Sequence, residues 1–525
     1  MSEIAIDRKE EEWKPSKSPW LIIIPTICAA FMFVLDETIA NVALSHMAGT
    51  FSVSKEESTW ILTSYLVASG IMIPAVDWFC KLLGRKVFFT LSVSLFTISS
   101  FICGFANSME MMLFARILQG LGGGGILPIA QAVSLEGFPP EKRSQSMAVF
   151  GFVVVIAPVI GPVIGGWITD NWNWPWIFFI NVPIGILTVY LTQKLLEDPP
   201  YARKQKNVSI DATGFFLLTV WIVSLQVMLD KGNNQDWFNS PFIVKLFLLS
   251  TLSALLFIIS QLKKKDSLVD LSVCFDRNFF VGTIIQVIQQ GVMLASTAIL
   301  PMFLQSMLGY DAFLSGLTLV PRGCGALTGL VIAGAISSKI DGRILTATGL
   351  CFMGAAGLML GNLNLQIAYH NVALPNFMFG FGMSLAMIPI IALSVITLKN
   401  SQMTNASGLQ NLVKIIGGAV GTSAVATLIS RYSQIHQANM VGHLNSLNPV
   451  FNAKLSAIQG AFMSSTTPNV AQYMAQYTLY GQLRQQAALW SFMEAFRIFG
   501  IACLIVIPLL LLVNNPQKKI IDRKK

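Results

Sequence analysis

The sequence predicts an all-α integral membrane protein with fourteen membrane-spanning helices: two six-helix bundles with two further helices inserted between them. Three observations carry this. The 525 residues are 54% hydrophobic and only 12% charged, where soluble proteins carry roughly a quarter charged. Apolar runs of about twenty residues, the length that crosses a bilayer, recur along the whole chain. Basic residues gather in alternate connections between those runs, as in cytoplasmic loops.

The first run, 20–42, follows a polar leader. No small-residue cleavage site follows it cleanly, so it reads as a retained helix rather than a signal peptide. Runs at 58–77, 87–106, 109–134, 144–169 and 175–195 complete a first bundle, 20–195. The fifth contains Ile156-Ala157-Pro158-Val159-Ile160-Gly161-Pro162-Val163-Ile164-Gly165-Gly166. Proline removes a backbone donor and crowds the preceding turn, so this helix is expected to break its ladder and to bend, pack closely or line a path. That suits a transporter better than a passive anchor. Runs at 212–230 and 241–261 lie within a linking region, 196–277. The second bundle, 278–514, holds runs at 278–307, 312–337, 345–364, 371–397, 406–430 and 491–514. A weak echo relates Leu35–Leu44 and 59–70 to Leu300–Leu308 and 311–323, so each bundle opens alike, in keeping with parallel transporter repeats.

Loops on one side hold Lys81, Arg85, Lys86, Lys142, Arg143, Arg203, Lys204, Lys206, Lys263, Lys264, Lys265, Arg277, Lys339, Arg343 and Lys399, and both tails, 1–19 and 515–525, are basic. The opposite loops hold few cations. Both termini are therefore expected in the cytoplasm, and an even span count agrees. The loop at 431–490 then faces outward. It is rich in Gln, Asn and Ser with interleaved apolar residues, as in amphipathic helices, and loops of that length are functional or disordered. Asp170 to Trp176 forms an interfacial aromatic cluster, read as a surface anchor.

The net charge of +9 sits in short loops and tails, which argues against nucleic-acid binding. Seven cysteines form no CxxC pair, and the four histidines are scattered, so neither a disulfide frame nor a metal site is expected. The run Gly122-Gly123-Gly124-Gly125 lacks a following Lys-Ser/Thr and lies inside a span. It reads as a close-packing surface, not a phosphate cradle. With no Walker motif, no ATP site is expected.

Charges within spans are costly and default to functional hypotheses. These are Asp36, Glu37, Arg116, Arg322, Lys414, Glu494 and Arg497. Asp36 lies about 9 Å and Arg116 about 10 Å from the outer boundary, counted at 1.5 Å per residue, so they share a depth. An adjacent arginine favours a charged carboxylate and desolvation favours a neutral one; a group balanced between the two can exchange a proton. The alternative is a permanent ion pair that locks two helices. Glu37 points about 100° away, toward either the cavity or the outer interface. Arg322 and Lys414 are read as ties to backbone carbonyls between helices, with anion contact in the cavity as the alternative. Glu494 and Arg497, three apart on one face, are read as a mutual pair, with a place for Glu494 in the cavity as the alternative.

Four motifs together resemble the fourteen-span drug/proton antiporters of the major facilitator superfamily, EmrB/QacA-like, over nearly the whole chain. They are Leu35-Asp36-Glu37-Thr38-Ile39-Ala40-Asn41-Val42-Ala43-Leu44, Arg116-Ile117-Leu118-Gln119-Gly120-Leu121-Gly122-Gly123, Gly161-Pro162-Val163-Ile164-Gly165-Gly166 and Trp176-Ile177-Phe178-Phe179-Ile180-Asn181-Val182-Pro183-Ile184-Gly185. The resemblance implies a major facilitator fold and proton-coupled efflux of amphipathic toxic compounds by alternating access across a bacterial inner membrane, with the proton gradient as energy source and no cofactor. It assigns proton coupling to Asp36 and Arg116, with the neighbouring Glu37 as a further candidate from its position on the helix, the helix 4 motif to Arg116, Gln119 and Gly120, and the antiporter motif to Pro158, Gly161, Pro162, Gly165 and Gly166. The gating loop would be Asp77, Lys81, Gly84, Arg85 and Lys86. It departs from the superfamily pattern, with Asp77 at the usual first glycine and Lys81 at the usual aspartate. The resemblance also implies a periplasmic adaptor of the membrane fusion type (EmrA-like) and an outer-membrane channel, with 431–490 as docking surface. A dedicated exporter of one metabolite, siderophore or fatty acid, or a non-transporting receptor on the same fold, are the rival readings.

Overall fold

Long apolar stretches become helices because a backbone in lipid must satisfy its own polar groups. The computed structural model describes residues 16–514 apart from 59, 140–141, 206–210, 265–266, 311, 338–339, 365–366, 368 and 446. Lys206, Lys265 and Lys339 and most of both basic tails lie outside the described residues. The first bundle comprises α1 (Pro19–Phe51), α2 (Trp60–Leu83), α3 (Arg85–Gly104), α4 (Met109–Glu136), α5 (Arg143–Asn171) and α6 (Trp176–Leu195). Helices α7 (Ala212–Gly232) and α8 (Pro241–Lys263) follow. The second bundle comprises α9 (Arg277–Leu308), α10 (Val320–Ile336), α11 (Gly342–Leu360), α12 (Tyr369–Ser394), α13 (Met403–Val441), α14 (Pro449–Met463) and α15 (Pro468–Ile505).

Twelve helices among the described residues are long and apolar enough to cross a membrane, not the fourteen expected. The runs expected at 144–169 and 312–337 supply shorter apolar helices, Gln145–Pro158 and Val320–Ile336. The second is short because the chain leaves the helix after Leu317 and re-enters it at Val320, with Pro321 in the first turn, where a missing N–H costs nothing. Helix α5 continues to Asn171 through the proline–glycine run, although Pro158 and Pro162 have no backbone N–H to donate to its ladder.

In the first bundle α1 packs on α5, α6 and the second half of α4, while α4 packs on α2 and α3. In the second, α9 packs on α12, α13 and α15, and α12 packs on α10 and α11. Helix α7 packs on α8 and touches both α2 and α13. One apolar core lies in the second bundle, around Leu300, Phe303, Met353 and Phe496. Two lie in the first, around Phe89 and Phe96 and around Ile39 and Phe178. A fourth joins both bundles through Ala130, Met147, Leu330, Leu385 and Leu409.

The segment 431–490 is mostly helix. Helix α13 runs on to Val441, α14 follows, and α15 begins at Pro468. At 1.5 Å per residue the 39 residues of α13 extend about 58 Å, well beyond the roughly 30 Å apolar core of a bilayer. The last expected span ends as helix at Ile505 and finishes in a tight 3-10 stretch, Ile507–Leu512.

Candidate functional site

The first bundle holds a sealed polar cluster built from five helices. Asp36 of α1 and Arg116 of α4 are both fully buried, and one Arg116 terminal nitrogen donates to Asp36 Oδ2 at 2.6 Å. The other carboxylate oxygen accepts from Gln119 Nε2 at 2.9 Å and from Asn181 Nδ2 of α6 at 2.8 Å. Both amides also donate to Ser100 Oγ of α3, at 3.1 and 3.0 Å. Arg116 Nε donates to the Ile61 carbonyl of α2 at 3.0 Å, and the guanidinium carbon lies 4.2 Å from the Tyr65 ring centroid. A buried charge survives only when paired and hydrogen-bonded; here every oxygen of the carboxylate has a donor.

Close backbone contact makes this possible. At Gly120 a Cβ would strike the Tyr65 carbonyl, and at Gly122 it would lie 2.7 Å from Phe96 N. The glycine run thus seats α4 against α2 and α3 and brings Arg116 and Gln119 inward. The antiporter motif does the same for α1: a Cβ on Gly161 would strike Thr38 Oγ1, and one on Gly165 would lie 2.7 Å from Ile39 Cγ1. Pro158 and Gly166 are half-buried; the side chain of Pro162 lies outside the described residues. Glu37 is half-buried.

The gating-loop residues form a second cluster. Asp77 and Lys81 pair at 2.7 Å one turn apart, so the exchange of residue types relative to the superfamily pattern yields a local ion pair. Gly84 adopts φ +89°, a conformation suited to glycine, and starts α3. Arg85 makes a two-pronged pair with Glu136 at the end of α4, at 2.7 and 3.0 Å, and donates to Thr404 of α13 at 3.0 Å. Tyr201 donates to the same Glu136 at 2.8 Å. The Lys86 amide donates to Asp198 at 2.9 Å; burial pushes the Asp198 carboxyl up despite that bond.

Near this basic end the two bundles also meet directly. Gln131 of α4 donates to Gln410 Oε1 and accepts from Asn411 Nδ2, both at 2.9 Å, and Arg143 of α5 donates to Asn400 at 2.9 Å. Among the described residues, every hydrogen bond between the two bundles lies in this half.

The charges of the second bundle depart from expectation. Arg322 is tied to side chains rather than backbone carbonyls: Asn376 Oδ1 at 3.1 Å, Thr297 Oγ1 at 3.0 Å and Ser296 Oγ at 2.8 Å, with the Phe379 ring 4.5 Å away. Lys414 makes no hydrogen bond or ion pair among the described residues. Glu494 does not pair with Arg497. It lies 3.1 Å from His436 of α13, while Arg497 donates to Asn362 at 2.9 Å. Helix α13 packs along α15 and brings the histidine within reach, whereas α11 ends beside Arg497.

Sequence reasoning placed Asp36, Arg116 and Gln119 but gave no role to Ser100, Tyr65 or Asn181. Asn181 stood within the quoted helix 6 motif, and Ser100 was a polar residue inside an apolar run; each carried a weak signal.

Two helical bundles meeting at a polar seam, with a sealed charge cluster in one, define a multi-pass membrane protein of the transporter class. Residues 26–422 match the Major Facilitator Superfamily. The chain is 34% identical over 459 residues to the multidrug export protein EmrB of Haemophilus influenzae, covering 87% of this chain and 89% of that one. It is 32% identical over 488 residues to the fatty acid resistance protein FarB of Neisseria gonorrhoeae, covering 93% and 94%. The crystal structure of the human organic anion transporter MFSD10 shares the fold, with TM-score 0.59 at 13% identity, covering 95% of this chain and all of that one. The chain belongs to the Major Facilitator Superfamily, in its EmrB-like branch, and its relatives and fold are those of transporters rather than enzymes.

Proposed function

We propose that this chain is a proton-driven exporter of amphipathic toxic compounds, working by alternating access in a bacterial inner membrane. The observation that carries the reading is the Asp36 cluster. One carboxylate holds donors from α4 and α6 at once, so gain or loss of a single proton changes what binds α1 to its neighbours. Proton entry at Asp36 removes the charge that Arg116, Gln119 and Asn181 share; proton release restores it. The similarity to EmrB supports drugs as cargo, and the similarity to FarB favours the rival of a dedicated fatty-acid exporter with the same mechanism. A sealed charge inside a span is costly to keep, which argues against a receptor without transport.

In this reading the basic side faces the cytoplasm with both termini, and α5 and α10 also cross, for fourteen spans in all. Helix α5, with 29 residues, extends about 43 Å, which supports it. The projecting ends of α13 and α15 then lie outside the membrane and form the surface for an adaptor of the membrane fusion type, leading to an outer-membrane channel. Exposed Val470, Tyr473, Met474 and Tyr477 along α15 supply an apolar stripe for it.

The test uses acid-loaded inside-out vesicles with a pH dye. Adding a cargo amphiphile is expected to release protons with the wild type and not with Asp36→Asn at equal expression. Proton release by Asp36→Asn at the wild-type rate would overturn the role of Asp36. Release by one metabolite alone would favour the dedicated exporter.

A further inference from the structure

We propose that Lys414 is an anion-binding residue and gives this exporter a preference for amphiphiles with a carboxylate, sulfonate or phenolate head; the inference deepens the exporter reading and rests on it.

Lys414 lies on α13 four residues after Gln410 and three after Asn411, hence one turn further along the same face. Those two residues bond Gln131 across the seam between the bundles. One turn beyond Lys414, α13 closes on α9: a Cβ on Gly417 would lie 2.7 Å from the Val287 carbonyl, and one on Gly418 would strike Leu294. Lys414 is therefore held between the polar seam and the α9–α13 contact. It is half-buried, and its ammonium has no hydrogen-bond or ion-pair partner among the described residues.

The charge balance on either side of the seam points the same way. In the first bundle Arg116 is neutralised by Asp36, Arg85 by Glu136 and Lys81 by Asp77. In the second, Arg322 contacts only neutral oxygens, Lys414 contacts none, and Glu494 sits against His436. Glu37 of α1 has contacts of its own. Lys414, a cation beside the seam without a carboxylate partner among the described residues, gives its surroundings a positive potential, which concentrates anions. A half-buried ammonium without a partner among the described residues gains from an anion that brings its own charge. The butyl stem of the lysine lies along the apolar body of an amphiphile while the head meets the charge.

The test uses two probes of the same shape and opposite charge, tetraphenylborate and tetraphenylphosphonium, titrated calorimetrically against the purified full-length protein in a neutral detergent. The wild type is expected to bind the borate about tenfold more tightly, through attraction between its charge and the ammonium. Lys414→Gln is expected to lose that preference through weaker borate binding, with phosphonium binding kept or improved; Lys414→Arg is expected to retain it. Equal affinities in the wild type, or an undiminished preference in Lys414→Gln, would overturn the proposal. Weakening of both probes alike in Lys414→Gln would also overturn it, since that is the mark of a structural role. Proton-driven uptake of radiolabelled taurocholate into inside-out vesicles is scored separately. If binding is anion-selective but no gradient drives movement of the anion, the exporter reading falls and the binding site stands.

Discussion

The Asp36 cluster shows how one acid is kept inside a membrane. Its two oxygens receive three N–H donors, and the arginine that supplies one is stacked on Tyr65. Removing one partner of a buried pair leaves the other uncompensated, a loss of about 3–5 kcal/mol. Arg116→Ala is therefore expected to abolish transport while the protein still inserts and is recovered from membranes with lowered thermal stability; active transport by that variant would contradict the role. The charged members were legible in the sequence because a charge inside an apolar run has few uses. The neutral members were not, because Ser100 and Asn181 look like ordinary small polar residues until packing sets Asn181 on the carboxylate and Ser100 under the two amides that hold it. The same limit explains Glu494: three-residue spacing to Arg497 suggested a pair, but the nearer partner, His436, lies 58 positions away and only the α13–α15 packing reveals it.

At the scale of elements, glycines decide which helices touch, and the Gly161 and Gly165 contacts with α1 were legible as a motif without their partners. The length of α13 was not, because polar Gln and Asn residues beyond the bilayer hide a helix that continues in water. The inserted pair α7–α8 was legible as two apolar runs, but its fastening was not. Asp211 caps α7 through the Gly214 amide at 2.8 Å, accepts from Gln261 of α8 at 2.8 Å and pairs with Lys264. Burial works to raise its pKa, but the bonds from Lys264, Gln261 and Gly214 outweigh it and hold the carboxyl below its ordinary value. A lowered folded-state pKa gives stability that is complete above the unfolded value near pH 3.9 and is lost as the pH falls through the folded value. Asp211→Ala is thus expected to cost about 1–3 kcal/mol at neutral pH, from a lost cap and buried hydrogen bonds. The gap in thermal stability from the wild type is expected to close as the carboxyl titrates; a gap unchanged at low pH would show that charge has no part in it.

At the scale of the whole molecule, the bundles are joined near the basic end and the joint is polar. Arg85 with Thr404, Arg143 with Asn400, and Gln131 with Gln410 and Asn411 cross the seam, over an apolar layer that includes Met147 and Leu330. A seam of single hydrogen bonds, among which no ion pair crosses, suits a joint that must open, since a neutral amide bond is worth about 1 kcal/mol net and water can replace it. A buried ion pair across the seam would be harder to part. Helix α7 adds a second tie at the opposite end, where Ser423 donates to the Leu229 carbonyl at 2.8 Å and Thr63 of α2 donates to Asp230 at 3.1 Å, so α2 and α13 are linked through it on one flank. Rocking about that flank opens the basic end only if the Gln131–Gln410 bond breaks. With the seven native cysteines replaced, Gln131→Cys and Gln410→Cys together are expected to be linked by a short bis-maleimide in resting protein, and the linked protein is expected to bind cargo without transporting it. Each single variant is expected to transport. Full transport by the linked double variant would mean that the bundles work without parting at this seam, and that access changes by some motion other than rocking.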